Sequence, residues 1–324
     1  MRMLELQTNN SELLISKLVL GTDYFGTNVS KNMSFRLMDM FADAGGNCLD
    51  TARVYACWLP DGNGASEKTI GQWLKEKKNR SKILISTKGG HPPIDHMTEG
   101  RLSKKELQFD IEESLKALGT DYIDIYWLHR DDLGVPVEEI IDILNEFISS
   151  GKIRAIGASN WSSGRIQEAN KYAKSRSLAQ FMASQIQWSL ATSSPEAHAD
   201  KTIICMNEGD YSWYNSNHFP VMAFSSQAKG FFTKAIKNGL ENLSPKAYNR
   251  FNTPENIERL ERVKTFAAEN GLTPTQTAIA YITCNAVPAM AIIGCKNEEQ
   301  LADSLSAGNV NISCTDANWL FMGK

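Results

Sequence analysis

The chain has 324 residues, of which 34 are lysine or arginine and 37 are aspartate or glutamate, so its formal net charge at pH 7 is −3. Acidic and basic residues are interspersed and form no basic patch, which disfavours a nucleic-acid partner. No apolar run reaches the roughly 18 residues of a membrane span, and the N-terminus lacks the pattern of a secretory signal, so we expect a cytoplasmic protein that does not bind membranes.

Cysteine and histidine spacing gives no sign of a metal site or a disulfide framework. The six cysteines are scattered without a C-x-x-C motif, as is typical of reduced thiols in the cytoplasm. The five histidines do not pair with cysteines at ligand spacing, so no metal is predicted. The sequence gives no prediction of the number of subunits.

Apolar periodicity and capping signals predict alternating strands and helices in the first half of the chain. A short lead-in, 1–12, precedes them. The predicted strands are 17–20, 47–50, 83–88 and 122–129. The predicted helices are 33–44, 66–78, 103–118 and 137–150.

The alternation continues in the second half. The predicted strands are 153–157, 183–187, 221–224 and 289–293. The predicted helices are 163–175, 254–270, 274–285, 297–307 and a weak one near 199–209. Glycines interrupt the segment that follows residue 224, up to 244, so no helix is assigned there. A short tail, 308–324, follows the last helix.

Eight strands, most of them followed by a helix, predict a parallel sheet. Eight such units in about 300 residues fit a closed (β/α)8, or TIM, barrel, so the whole chain, 1–324, is predicted to be one α/β domain. An open doubly wound sheet is the alternative. Its usual dinucleotide signature, G-x-G-x-x-G after the first strand, does not occur in the sequence, nor does a G-x-x-x-x-G-K-[ST] phosphate loop.

Polar side chains end three successive strands of the predicted barrel. Asp50 ends the second strand and Tyr55 follows it, while Lys88 and His129 end the third and fourth. The carboxyl ends of barrel strands form one face, so these four side chains should converge. A phenol normally keeps its proton to about pH 10, and a neighbouring ammonium makes it a better acid. The set therefore suits proton donation to a carbonyl: Lys88 polarises the phenol, Asp50 holds Lys88, and His129 orients the reacting oxygen.

Each of these residues also has a purely structural interpretation. Tyr55 alone is compatible with an exposed loop tyrosine, Lys88 and Asp50 with an ordinary ion pair, and His129 with a buried core histidine. Their coincidence at three successive strand ends favours the catalytic interpretation.

Several motifs in this order resemble the aldo-keto reductases, and the resemblance covers residues 13–307. The motifs are Asp50-Thr-Ala-x-x-Tyr55, Ser66-Glu67, Lys88 after strand three, Leu128-His129, Gly157-Ala-Ser-Asn160 and the segment 294–304. The resemblance implies a barrel enzyme that binds a nicotinamide cofactor in extended form and reduces carbonyl compounds. It also implies that Tyr55 is the proton donor, with Lys88 and Asp50 as its activating pair and His129 as the residue that orients the carbonyl.

The resemblance further assigns positions along the cofactor. Those positions are Gly21, Thr22, Asp50, Ser159, Asn160, Gln185, Phe224, Ser225, Gln227, Gly294, Lys296, Asn297, Gln300 and Ser304. Ser159, Asn160 and Gln185 correspond to ligands of the nicotinamide carboxamide. Phe224 lies where the family stacks an aromatic ring, usually tyrosine. The residues from Ser225 onwards correspond to the pyrophosphate and adenosine side.

NADP(H) is the expected cofactor, with NAD(H) as the alternative. The helix predicted to begin at Asn297 offers free N–H groups to a phosphate. Lys296, just before it, can meet a 2′-phosphate as a point charge. Gln300 stands where some members of the family have arginine, and Ser304 where many have asparagine. These two departures are points in favour of NAD(H).

Tyr24, Trp58 and Arg130 are expected to contact a small-molecule substrate, because loops set the substrate in barrel enzymes. Aromatic walls with a few polar groups suit a sugar, a polyol or an aromatic carbonyl, and the short tail predicts an open pocket with broad specificity. We therefore expect reduction of aldehydes or ketones, sugar carbonyls included, to alcohols. Two alternatives stay open: a sugar or polyol dehydrogenase with the same residues, and a cofactor-binding regulatory subunit resembling the potassium-channel β subunits.

Overall fold

The centre of the molecule is a closed barrel of parallel strands. The computed structural model describes residues 1–8 and 12–323. The strands in this part of the chain are β1 (Met3–Gln7), β2 (Glu12–Ser16), β3 (Leu18–Gly21), β4 (Cys48–Asp50), β5 (Leu84–Gly89), β6 (Ile123–Leu128), β7 (Ile153–Ser159), β8 (Phe181–Gln185), β9 (Val221–Ala223) and β10 (Ala289–Gly294). Strands β3 to β10 pair in sequence order, and β10 closes the ring on β3. The predicted (β/α)8 barrel is confirmed.

Helices surround this barrel. They are α1 (Lys31–Asp43), α2 (Ala65–Lys77), α3 (Lys104–Leu118), α4 (Val137–Ser149), α5 (Ser163–Ser175), α6 (Pro195–His198), α7 (Glu208–Ser216), α8 (Phe231–Asn238), α9 (Pro245–Phe251), α10 (Pro254–Glu269), α11 (Pro274–Thr283), α12 (Glu298–Leu305) and α13 (Cys314–Met322). None of the helices in the described residues is long and apolar enough to cross a membrane.

The first residues form an antiparallel hairpin outside the predicted barrel units. Strands β1 and β2 pair antiparallel, with Leu6 opposite Leu13. Leu6 and Ile15 are fully buried and pack with Val19 and other inward-facing strand residues inside the barrel. The hairpin therefore closes the end of the barrel at which the strands begin. Residues 9–11 of the predicted lead-in lie outside the described part of the chain.

The helix predicted near 199–209 is wrong. Helices α6 and α7 flank most of this stretch instead. Ser194 caps α6, which ends where Ala199 takes a left-handed conformation, and Asn207 caps α7. Between them, Cys205 forms an isolated parallel bridge with Gln187 and is held in an extended conformation. Local capping and one strand-like contact therefore override the weak helical periodicity.

Two further segments also differ from prediction. The glycine-interrupted segment after residue 224 contains helix α8, and the unassigned helix α9 begins directly after it. The predicted tail contains α13, which begins at a capping box of Ser313 and Asp316. The guanidinium groups of Arg259 and Arg262, both on α10, donate to backbone carbonyls at the end of α13. These contacts hold α13 against the outside of the barrel, on α10.

Candidate active site

The ammonium group of Lys88 lies at the base of a cleft at the carboxyl ends of the strands. Its Nζ is 2.6 Å from Asp50 Oδ2, 2.7 Å from the Thr51 carbonyl oxygen and 2.9 Å from Tyr55 Oη. An ammonium has three N–H bonds, so these three acceptors use its whole capacity. Lys88 is 1% exposed, and burial lowers its pKa while Asp50 opposes that shift.

The Asp50 carboxylate is held from three directions. Besides Lys88, Ser86 Oγ donates to Asp50 Oδ1 at 2.8 Å and Gln185 Nε2 donates to the same oxygen at 3.0 Å. Trp127 Nε1 in turn donates to Ser86 Oγ at 2.8 Å. Adjacent strands β4, β5 and β6 supply Asp50, Ser86 and Trp127, so parallel register brings these groups together. The carboxylate is fixed in place and cannot swing away from Lys88.

The surroundings of Tyr55 keep its phenol protonated. Burial raises the pKa of the Tyr55 phenol well above its usual value, the Asp50 carboxylate raises it further, and Arg130 lowers it. Removal of water from a phenolate thus outweighs the neighbouring cations in this structure. The phenol keeps its proton throughout the physiological pH range.

His129 faces Tyr55 across the same end of the cleft. The two ring centroids are 6.0 Å apart, and the ring of His91 lies 4.6 Å from that of His129 on its other side. Burial lowers the pKa of His129 well below 6.5, and His91 and Arg130 lower it further. The imidazole is therefore neutral at neutral pH. Its Nδ1 is buried and has no hydrogen-bond partner among the described residues.

The cleft above these residues has a volume of about 950 Å³. All but one of the fourteen residues predicted to lie along the cofactor line it, from Gly21 and Thr22 to Ser304. Asn297 is the exception, because its side chain accepts from the backbone N–H of Gln300 and caps α12. That Asn297 contacts the cofactor stays a prediction.

Several of the residues that line the cleft are tied to one another. Asn160 has a positive φ of 57° at the end of β7 and donates to the His129 carbonyl oxygen and to Ser159 Oγ. At the opposite end, Gln227 Nε2 donates to Ser304 Oγ at 2.9 Å, which joins the loop after β9 to α12. These contacts hold the walls of the cleft in a defined position.

Comparison with known proteins identifies the family. The model of the aldo/keto reductase family matches residues 17–319. The chain belongs to the aldo/keto reductase family. It is 29% identical to the norsolorinic acid reductase of Emericella nidulans, over 92% of this chain and 76% of that protein. It is 28% identical to an aryl-alcohol dehydrogenase of Pestalotiopsis microspora (91% and 73%) and 29% identical to an uncharacterised oxidoreductase of Bacillus subtilis (93% and 89%).

The three residues predicted to bind substrate occupy different places in this aldo/keto reductase. Tyr24 and Arg130 line the cleft. Trp58 stands outside the lining, 47% exposed, with its ring edge-to-face with that of Tyr24 at 6.3 Å. Arg130 is buried, and its guanidinium donates to Thr202 Oγ1, the His129 carbonyl oxygen and Asp200 Oδ2.

Sequence reasoning missed several polar residues of the cleft. Lys229, Lys234 and Lys246 line it together with Lys296. The three lysines 229, 234 and 246 could have been predicted from the sequence. They lie within eighteen residues after the seventh barrel strand, where this fold often binds phosphate. Asp200 and Thr202, which hold Arg130, were not predictable because they come from the long loop after β8.

Proposed function

We propose that this oxidoreductase reduces aldehydes and ketones with NADPH and that Tyr55 donates the proton to the carbonyl oxygen. The observation that carries the proposal is the hydrogen bond between Lys88 Nζ and Tyr55 Oη at the base of the cleft, with Asp50 fixing the lysine. The phenol holds a proton at physiological pH, as a donor must. The adjacent ammonium stabilises the phenolate that forms once the proton is given up.

The neutral imidazole of His129 completes this site. It lies beside Tyr55, so one ring nitrogen is available to hold the carbonyl oxygen near the phenol. Asp50, Lys88 and His129 are buried, and the low local dielectric strengthens the electrostatic effect of Lys88 on the developing charge. The reduced nicotinamide, when bound, supplies the hydride for the carbonyl carbon.

The residues of the cleft fit a nicotinamide dinucleotide. Ser159, Asn160 and Gln185 offer amide and hydroxyl groups beside the catalytic end, as a carboxamide requires. Lysine ammonium groups line the cleft, and residues of the first turn of α12 border it, as phosphates require. Phe224 also lines the cleft and offers an apolar surface.

Four lysines along the cleft favour NADPH over NADH as the cofactor. Lys296 lines the cleft just before α12, and its Nζ projects over the ring of Tyr24, 5.8 Å from its centroid. We expect NADPH to bind at least tenfold more tightly than NADH, and Lys296→Ala to remove most of that difference. Fluorescence titration with both cofactors measures it, and Lys75→Ala, on the outer face of α2, is the control. Equal affinity for the two cofactors would remove the NADPH assignment.

Aromatic carbonyl compounds are the substrate class that the cleft supports best. Tyr24 and Trp58 form an edge-to-face aromatic pair at its mouth, and one relative is named an aryl-alcohol dehydrogenase. Assays of NADPH oxidation should compare an aromatic aldehyde, an aliphatic aldehyde and a reducing sugar, with the corresponding alcohols and NADP⁺ in the reverse direction. We expect the aromatic aldehyde to have the highest kcat/KM and Trp58→Ala to lower it about tenfold. A higher kcat/KM for the sugar would contradict the aromatic assignment.

A further inference from the structure

We propose that Ser66 and Glu67, in the first turn of α2, are positioning residues that set the direction in which Lys88 faces Tyr55. The inference deepens the proposed reductase function and rests on it. It assigns a role to two residues that lie outside the cleft and contact neither Tyr55 nor Lys88.

The Ser66 hydroxyl contacts the residues that follow two adjacent strands. It is fully buried, and its Oγ lies 2.8 Å from Thr22 Oγ1, 2.8 Å from Thr51 Oγ1 and 2.8 Å from the Thr22 carbonyl oxygen. Thr22 directly follows β3 and Thr51 directly follows β4. One side chain of α2 therefore holds the ends of two adjacent strands.

The hydroxyl contacts of Ser66 lead to the backbone of Asp50. Each hydroxyl has one proton to donate. If Ser66 donates to the Thr22 carbonyl oxygen, its Oγ accepts from Thr51 Oγ1. Thr22 Oγ1 then donates either to Ser66 Oγ or to the Asp50 carbonyl oxygen, which lies 2.9 Å away. Ser66 is thus linked through Thr22 to the backbone of the residue that holds Lys88.

Thr51 connects this chain directly to the ammonium group. Its hydroxyl contacts Ser66, while its carbonyl oxygen accepts from Lys88 Nζ at 2.7 Å. Because Lys88 has only three N–H bonds, fixing the two that go to Asp50 and Thr51 also fixes the third, which points at Tyr55. Movement of Thr51 would therefore turn the ammonium away from the phenol.

Glu67 holds the strand that carries Lys88. Its Oε1 accepts from Thr87 Oγ1 at 2.7 Å, and Thr87 immediately precedes Lys88 in β5. Glu67 is fully buried, and burial raises the pKa of its carboxyl group. Gly71 on the same helix lets the α2 backbone approach α3, since a Cβ there would lie 2.5 Å from the Ala117 carbonyl oxygen. Helix α2 is therefore packed closely against α3 and can hold β5 in place through Glu67.

The first test removes the hydroxyl of Ser66. We expect Ser66→Ala to lower kcat at least tenfold and to change the Kd for NADPH less than threefold. Ser34→Ala is the matched control, because Ser34 is also a buried serine near the start of a barrel helix but bonds only to Val29 and Ser30 carbonyls. It should keep kcat within twofold of wild type. A Ser66→Ala enzyme whose kcat also stays within twofold of wild type would overturn the inference.

A solvent isotope effect separates positioning from a general structural defect. If the ammonium turns away, the phenolate of Tyr55 loses stabilisation, proton donation slows, and kcat in D2O falls further relative to kcat in H2O than it does for wild type. A general defect lowers kcat by the same factor in both solvents and would count against the inference. If Ser66→Ala does not fold, Thr51→Val serves instead, because it removes the same hydrogen bond and keeps the carbonyl that Lys88 contacts.

Rescue by a conservative change tests Glu67. Glu67→Gln keeps a carbonyl oxygen for Thr87 and should retain kcat within threefold, while Glu67→Ala should lose it at least tenfold. An equal loss of kcat in the two variants would contradict the role assigned to Glu67.

A structural measurement keeps this inference separate from the proposed function. In a crystal structure of Ser66→Ala we expect the distance from Lys88 Nζ to Tyr55 Oη to exceed the roughly 3.5 Å limit of a hydrogen bond. An unchanged distance overturns the positioning role even if the wild-type enzyme is active. Failure of the wild type to turn over any carbonyl, with the distance changed as expected, would overturn the reductase function alone.

Discussion

At the scale of single residues, the buried ion pair of Lys88 and Asp50 serves both stability and chemistry. Both side chains are almost fully excluded from solvent, at 1% and 2% exposure. A buried charge that loses its partner is strongly destabilising, because it keeps its desolvation penalty without compensation. The same pair that orients Tyr55 therefore also contributes to the stability of the barrel.

We expect Lys88→Met to abolish turnover and to lower the free energy of unfolding by about 3–5 kcal/mol. The loss arises from Asp50, which would stay buried without a counter-charge. Urea unfolding measures the change. Adding Asp50→Asn to Lys88→Met should restore most of the stability and none of the activity, and a Lys88→Met protein as stable as wild type would contradict this account of the pair.

The sequence predicted the identity of these residues and not their acidity. Asp50, Lys88 and His129 were identifiable because strand ends share one face of a barrel. The raised pKa of Tyr55 was not predictable from the sequence, since it depends on how far the fold removes water from the phenol. The contacts of Ser66 could not be predicted from the sequence either, because they join residues 44 positions apart and depend on side-chain rotamers.

At the scale of elements, the N-terminal hairpin closes the barrel end opposite the cleft. Leu6 on β1 and Ile15 on β2 are fully buried in the barrel interior, while Leu14 on β2 is 56% exposed. The hairpin thus supplies core to the barrel, and none of its described residues, 1–8 and 12–16, lines the cleft.

Ile15→Ala should therefore lower the free energy of unfolding by about 2–5 kcal/mol, because it leaves a cavity in a packed interior. Its kcat/KM, measured well below the melting temperature, should stay near that of wild type. Leu14→Ala, the neighbouring substitution on the exposed face, should change stability by less than about 0.5 kcal/mol. Equal effects of the two substitutions in thermal unfolding would refute the closure role.

The elements that sequence reasoning missed share one physical cause. Residues 4–7 alternate apolar and polar side chains, but a short strand is stable only against a partner, which here is the separate strand β2. Helix α7 depends on Asn207 as its cap, and its buried Tyr214 donates to Ser184 Oγ on β8, 30 positions away. Most of the eight barrel strands, by contrast, are short segments dominated by buried residues, which is a strong local signal of a parallel sheet.

At the scale of the whole molecule, buried neutral histidines link stability to pH. Burial lowers the pKa of His91 from 6.5 to about 4. The unfolded chain binds a proton at this residue below pH 6.5, whereas the folded chain does not until about pH 4. Stability is therefore full above pH 6.5 and falls as the pH drops towards 4.

Between pH 6.5 and 4, the lowered pKa of His91 reduces the free energy of unfolding by roughly 3 kcal/mol. We expect His91→Asn to make the fall in stability between pH 6.5 and 4 shallower, by up to about 1.4 kcal/mol per pH unit. His96→Asn, at an exposed position, should leave the slope unchanged. Urea unfolding at several pH values measures both variants, and identical slopes for wild type and His91→Asn would contradict this linkage.

The account as a whole depends on one proton donor. The most direct measurement is a single turnover of enzyme-bound NADPH with an aromatic aldehyde, followed by absorbance, in wild type and in Tyr55→Phe. Phenylalanine keeps the aromatic ring and removes only the hydroxyl. The account predicts that the rate falls by a factor on the order of 10²–10⁴ while the Kd for NADPH changes less than twofold. A Tyr55→Phe enzyme that reduces the aldehyde at the wild-type rate would contradict it.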